Sequence, residues 1–158
     1  MEKKILIPID FRVESLNTLK YALDDLKQEK SNIILMYSEY ISDSITELLF
    51  YDPAKKIREL ASSDFNDAIA IINNTHESSL HTIKIELFNG LNKNAFLNFY
   101  EAHAIDLIYL PKDYCLKPHK NGFDPTPLIK KSKVEYKEVA WASDRPTTNK
   151  DELTQLFK

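Results

Sequence analysis

Glycine is nearly absent. Gly90 and Gly122 are the only two in 158 residues, where ordinary usage of roughly 7% would supply about eleven. A Walker A loop, a GxGxxG dinucleotide fingerprint and a GxSxG nucleophile elbow all need closely spaced glycines, so all three are excluded. Cysteine is scarcer still: Cys115 stands alone, so no internal disulfide can form, which suits a reducing compartment. A thiol beside lysines can be redox-active, but a buried and inert Cys115 is the plainer expectation. No charge of one sign dominates. The 21 Lys and Arg against 24 Asp and Glu give a net charge of −3, without the basic stripe a nucleic-acid surface requires.

Long apolar runs are missing as well. None approaches the roughly 20 residues needed to cross a membrane, so no membrane partner is expected. The opening MEKKILIPIDF carries two lysines and an apolar run, yet Pro8 and Asp10 end that run too early for a secretory h-region. A cytoplasmic protein is therefore expected. The string KDEL at Lys150–Leu153 is internal and has no retention meaning there. His76, His81, His103 and His119 show neither an HExxH pattern nor a paired i, i+4 spacing, so no metal site is expected. No spacing nominates a nucleophile, a base and an oxyanion donor together, so the chain does not read as an enzyme.

What is present is alternation. Lys4–Asp10 carries consecutive apolar residues, the mark of a strand covered on both faces. Leu16, Leu19, Leu23 and Leu26 form one apolar stripe of a helix over 14–30, with Ser15 or Glu14 as its cap. Asn32–Ser38 is a second buried strand. A short helix is expected near Ile45–Phe50. Asp52 and Pro53 then open a long helix to about Asn74, with Ile57, Leu60, Ala61, Phe65, Ala68, Ile69 and Ile72 inward. Leu80–Phe88 alternates apolar and polar residues, as an edge strand does. A helix over 91–103 follows, with Ala95, Phe96, Phe99 and Ala102 inward, then a strand over Ile105–Leu110. Asp124 and Pro125 open a helix of about two turns, and Val134–Trp141 is the last strand. The chain divides into an α/β domain over 1–141 and a polar linker with a short helix over 142–158.

The order βαβαβαβαβ implies an α/β fold with helices on both faces of a five-stranded parallel sheet. The three buried strands and the alternating third strand predict the sheet order 3-2-1-4-5. Ligands of such sheets bind past the strand C-termini where the order reverses, here between Asp10 and the loop after Leu110. That loop, within LIYLPKDYCLKPHKNGFDPTPLIKK, carries Lys112, Lys117, His119 and Lys120. Lysine side chains can hold an anion as point charges, although a short charge run is commonly a solvated loop.

The opening block KKILIPIDFRVESLNTLKYAL resembles the start of a universal stress protein, with its strand ending in Pro8, Ile9 and Asp10, an aromatic, and a helix. NIILMYSEY resembles the family's second strand and AIDLIYLP its fourth, so the resemblance spans most of Lys3 to Trp141. It implies a three-layer Rossmann-like, adenine nucleotide alpha hydrolase-like fold, a role in the stress response, and homodimers built through the fifth strand. Many members bind ATP through G-x2-G-x9-G-[ST] after strand 4, where small residues let backbone N–H groups reach phosphate. Here the first two glycines fall on Pro111 and Tyr114. The third falls on Asp124, or on Gly122 with a loop two residues shorter and Phe123 in place of the hydroxyl.

The resemblance still places Asp10 near a nucleoside and Ser38 near a base. With Lys112, Lys117, Lys120 and Gly122 they form the candidate nucleotide or anion site, while ATP and AMP are disfavoured as cofactors. A regulatory or protective binding module is the expected function. The alternative is a nucleotide or anion sensor whose lysine-rich loop replaces the glycines. At the expected dimer edge, Glu135 and Lys137 flank Tyr136. An antiparallel pairing centred on Tyr136 would oppose Glu135 to the partner's Lys137, a favourable cross-strand charge pair.

Overall fold

A computed structural model of the chain describes residues 2–26, 29–41 and 45–141. The expected linker and short helix over 142–158 lie outside the described residues. Five parallel strands form one sheet in the order β3-β2-β1-β4-β5, as the alternation predicts. They are β1 (Lys3–Pro8), β2 (Ser31–Ser38), β3 (Leu80–Phe88), β4 (Leu107–Pro111) and β5 (Tyr136–Val139). The helices are α1 (Asn17–Asp25), α2 (Ile45–Leu49), α3 (Pro53–Leu60), α4 (Ser63–Thr75), α5 (Lys93–Ala102) and α6 (Thr126–Lys131).

Period-two alternation along the central strands feeds two cores, one on each face of the sheet. Ile5, Ile7, Ile9, Ile33, Leu35 and Tyr37 join the leucine stripe of α1 and Phe65, Ala68 and Ile72 of α4. Leu6, Ile34, Met36, Ile108 and Leu110 face Phe96 of α5 and Ile129 of α6. β3 lies at one edge, and its interior residues are half-buried or exposed.

Several boundaries differ from expectation, each for a local reason. The helix expected over 14–30 begins as a 3-10 turn over Val13–Leu16 and runs as α1 only to Asp25. Ser15 does not cap it. Its hydroxyl donates to the Arg12 carbonyl at 2.8 Å and accepts from the Asp10 N–H at 3.4 Å. The long helix after Pro53 is two helices. Ser62 adopts an extended backbone and accepts from the Phe65 N–H at 3.1 Å, a cap that starts α4 afresh. As a result Ile57, Leu60 and Ala61 only partly bury. Asn92 caps α5, accepting from the Ala95 N–H at 2.9 Å, which leaves Leu91 ahead of the helix and Ala102 exposed at its end. α6 starts one residue late, with Asp124 accepting from the Thr126 N–H at 2.9 Å. β5 is shorter than expected, and Glu135 precedes it.

The two glycines serve space, not conformation. Neither has a positive φ; Phe11, Ala104, Asn121 and Lys133 hold the left-handed positions instead. A Cβ on Gly90 would meet the Ala95 Cβ at 2.4 Å, so this glycine lets β3 turn closely onto α5.

Candidate functional site

The sheet reverses order between β1 and β4, so the crevice past their C-termini is where a ligand is sought. Asp10 stands there and is fully buried. Its Oδ1 accepts from the Arg12 N–H at 2.9 Å, closing a tight turn at the end of β1. Its Oδ2 accepts from the Tyr114 hydroxyl at 2.5 Å and from the Lys117 N–H at 2.8 Å. Arg12 returns the contact, its Nε donating to the Lys117 carbonyl at 3.2 Å. The two loops facing the crevice are thus clamped to each other by their own polar groups.

Tyr114 fills the middle of this arrangement. Its ring packs on Trp141 with centroids 4.7 Å apart, and the Lys117 ammonium lies 5.8 Å from its centroid. Burial, followed by the hydrogen bond and charge of Asp10, pushes the Tyr114 phenol far above its usual pKa. It therefore remains a donor to the carboxylate.

Further along, the loop crosses the end of β2. The His119 N–H donates to the Tyr37 hydroxyl at 3.0 Å. The Phe123 N–H donates to the Ser38 carbonyl at 2.9 Å, and Tyr40 N–H to the Asn121 carbonyl at 2.7 Å. Gly122 sits beneath these bonds: a Cβ there would meet the Tyr37 hydroxyl at 2.4 Å and the Pro118 Cβ at 2.6 Å. Ser38 presents its backbone to the loop, while its hydroxyl is buried without a hydrogen-bond partner.

The expected site residues are therefore brought together only in part. Asp10 meets Lys117 through the Lys117 backbone, and Ser38 lies against the Gly122–Phe123 segment. The three lysines face different neighbours. Lys112 is exposed, its N–H bonding the Val139 carbonyl at 2.8 Å. The Lys117 ammonium turns to Tyr114. Lys120 lines a separate cleft of about 550 Å³ with Glu39, Tyr51 and Lys56. Cys115 is exposed, contrary to the buried thiol expected, because the loop turns its Tyr114 and Leu116 neighbours inward instead. Among the described residues no group of three or more His, Cys, Asp and Glu could hold a metal ion, and no helix is long and apolar enough to cross a membrane.

Pro111 has no N–H to offer, a Cβ at Gly122 would meet the Tyr37 hydroxyl and Pro118, and both Asp10 carboxylate oxygens accept from the chain's own donors. The sequence sets Tyr114 where the family's motif has a glycine, but it carries no motif or spacing that points to Arg12, Tyr37 or Trp141.

At the β5 edge, Lys137 is already engaged. Its ammonium donates to Asp25 at 2.6 Å, and Asp25 also accepts from the Tyr109 hydroxyl at 2.6 Å. The Lys137 and Tyr109 bonds hold the Asp25 carboxyl below its usual pKa despite some burial. Pairing of Lys137 with Glu135 of a second copy would compete with this contact.

The raised tyrosines make a pH prediction. Burial pushes Tyr51 up to about 12, and Tyr109 and Tyr114 higher, from an ordinary value of 10.0. A phenol with a raised folded-state pKa contributes stability that is intact below pH 10 and is lost as pH rises through its folded value. Between pH 10 and 12 each such tyrosine holds its proton only in the folded state, and stability falls by up to about 1.4 kcal/mol per pH unit per residue. Phenolate absorbance should show a late-titrating subset that ionises with unfolding. Uniform titration of all eight tyrosines near pH 10 in folded protein would contradict this.

These features define a doubly wound α/β protein whose switch-point crevice is closed by its own β4–α6 loop. The chain has the universal stress protein fold. No protein-family model matches the sequence, and no curated protein matches it. The likeness is to solved structures. The universal stress protein UspA from Lactobacillus plantarum is 15% identical with a TM-score of 0.55, over 89% of this chain and 97% of that one. A universal stress protein family member from Burkholderia pseudomallei is 13% identical with a TM-score of 0.51, over 87% and 95%. A family protein from Arabidopsis thaliana, with AMP bound, is 9% identical with a TM-score of 0.51, over 90% and 94%.

Proposed function

We propose that the protein is a universal stress protein-like regulatory or protective binding module that neither catalyses a reaction nor holds ATP. The observation that carries this reading is the buried Asp10 carboxylate. Its acceptors are occupied by the Arg12 N–H, the Tyr114 hydroxyl and the Lys117 N–H. In this reading the loop's own donors take the place a nucleoside's would need. A phosphate would gain little in exchange, because the loop's lysines do not converge. The competing reading, a sensor that binds an anion through those lysines, needs the loop to open and its ammonium groups to gather.

Heat-denaturation scans with millimolar ATP, AMP and cyclic nucleotides separate the two. No shift is expected. A ligand at 100 times its dissociation constant stabilises by about 2.7 kcal/mol, which for a chain of this size raises Tm by roughly 5–11 °C. A rise of that order with any nucleotide would overturn the proposal.

A further inference from the structure

The large hydrophobic side chains left exposed among the described residues are not scattered. Tyr40, Ile45, Leu48, Leu49, Phe50 and Leu91 all follow the C-terminal ends of β2 or β3, so they gather at one end of the sheet. Two of them, Tyr40 and Leu91, line one groove, and exposed apolar surface gathered in this way marks a face that is covered in the working molecule. At that end Tyr40 stacks on Phe123 with centroids 4.7 Å apart. Tyr40, Leu91, Phe123, Pro127 and Leu128 wall a groove of about 380 Å³, with Asp124 and Lys131 among its lining residues.

Residues 142–158 supply an occupant of matching chemistry. Leu153, Leu156 and Phe157 fall at spacings of three and one, which places them on one face of a helix. Asp151 and Glu152 precede them and Lys158 follows, so the segment carries both signs of charge, as the groove's lining does with Asp124 and Lys131. Reach is sufficient. β5 is parallel to β4, and Trp141 just beyond it packs on Tyr114, so the chain leaves β5 at the same end of the sheet. From β5 to β2 is three strand steps, about 14–15 Å. The nine residues from 142 to 150 can span at most about 30–32 Å, roughly twice that distance. Tethering at that length raises the local concentration of the segment to the millimolar range.

We propose that residues 151–158 of the same chain dock in the Tyr40–Leu91–Phe123 groove through Leu153, Leu156 and Phe157. The contact covers the apolar edge beside the closed crevice. A partner protein using that edge has first to displace the segment. This inference does not depend on whether the crevice binds a nucleotide.

Disulfide trapping in the full chain tests it. With Cys115→Ser removing the native thiol, the pair Leu91→Cys and Phe157→Cys is oxidised at low protein concentration and analysed by mass spectrometry. Leu91 is exposed in the fold, and both wild-type side chains belong to the proposed contact. A monomer carrying an intramolecular bridge is the expected product. Bridged dimers would assign the groove to a second copy and overturn the proposal, as would two free thiols. In the otherwise native chain, Leu156→Ser with Phe157→Ser should raise amide exchange at Leu91 and Tyr40 about tenfold or more and leave β1 and β2 unchanged. Unchanged exchange at Leu91 and Tyr40 would overturn it equally.

Discussion

Asp10→Ala should destabilise the protein by about 3–5 kcal/mol, seen as a lower urea midpoint at constant m. The side chain is fully buried and accepts from two backbone N–H groups and a phenol. Truncation leaves these donors without a partner in a place where water does not readily replace it. Each buried donor so orphaned costs about 1–3 kcal/mol. Asp10→Asn should fall between, because its single amide oxygen can serve only one of the two sides the carboxylate now serves. The measurement also bears on function. A residue kept for a ligand is commonly neutral or destabilising in its absence, so removing it leaves stability unchanged or higher. A loss below about 1 kcal/mol for Asp10→Ala would mean that the loop does not depend on this carboxylate, and the closed-crevice reading would fail with it.

Phe11 carries the second large effect. It adopts a φ of 64°, the left-handed region where a side chain is strained. It is held there by ring contacts to Tyr37 at 4.8 Å and Phe65 at 5.3 Å. Phe11→Ala removes those contacts and keeps the strain, for an expected loss of about 3–5 kcal/mol. Phe11→Gly removes the same ring but relieves the backbone, so it should be less damaging by about 1 kcal/mol, a reversal of the usual rank of alanine over glycine. If the glycine variant is as unstable as the alanine one or more so, strain at this position is not stored as described. Both variants loosen Tyr37, so exchange at the His119 amide should rise first within the loop.

The residues that made the fold legible are those with local periodicity. Leu16, Leu19, Leu23 and Leu26 announce a helix face by spacing alone, and all four are buried. The consecutive apolar residues of β1 and β2 announce strands covered on both sides, and the alternation of β3 announces an edge. Where two local signals compete, one prevails. The apolar stripe from Ile57 to Ile72 suggested one helix, but Ser62 followed by Asp64 is a helix start, and the cap it forms splits the segment in two.

The crevice was legible in a different degree. Parallel alternation sets where a ligand site must lie, and the scarcity of glycine already excluded a backbone phosphate cradle of the usual kind. Both follow from composition and period, which act over short stretches of chain. The closure of the crevice does not. Tyr114 and Asp10 are separated by 104 residues, Lys117 and Asp10 by 107, and His119 and Tyr37 by 82. These bonds form only because the parallel sheet brings the ends of β1, β2 and β4 side by side, and no pattern along the chain encodes them. The same holds for the lysines, which share a loop in sequence but diverge once its backbone is pinned to Asp10, Ser38 and Tyr37. Local hydrophobic period sets the sheet and the place of the crevice. Hydrogen bonds between distant segments set whether it is open.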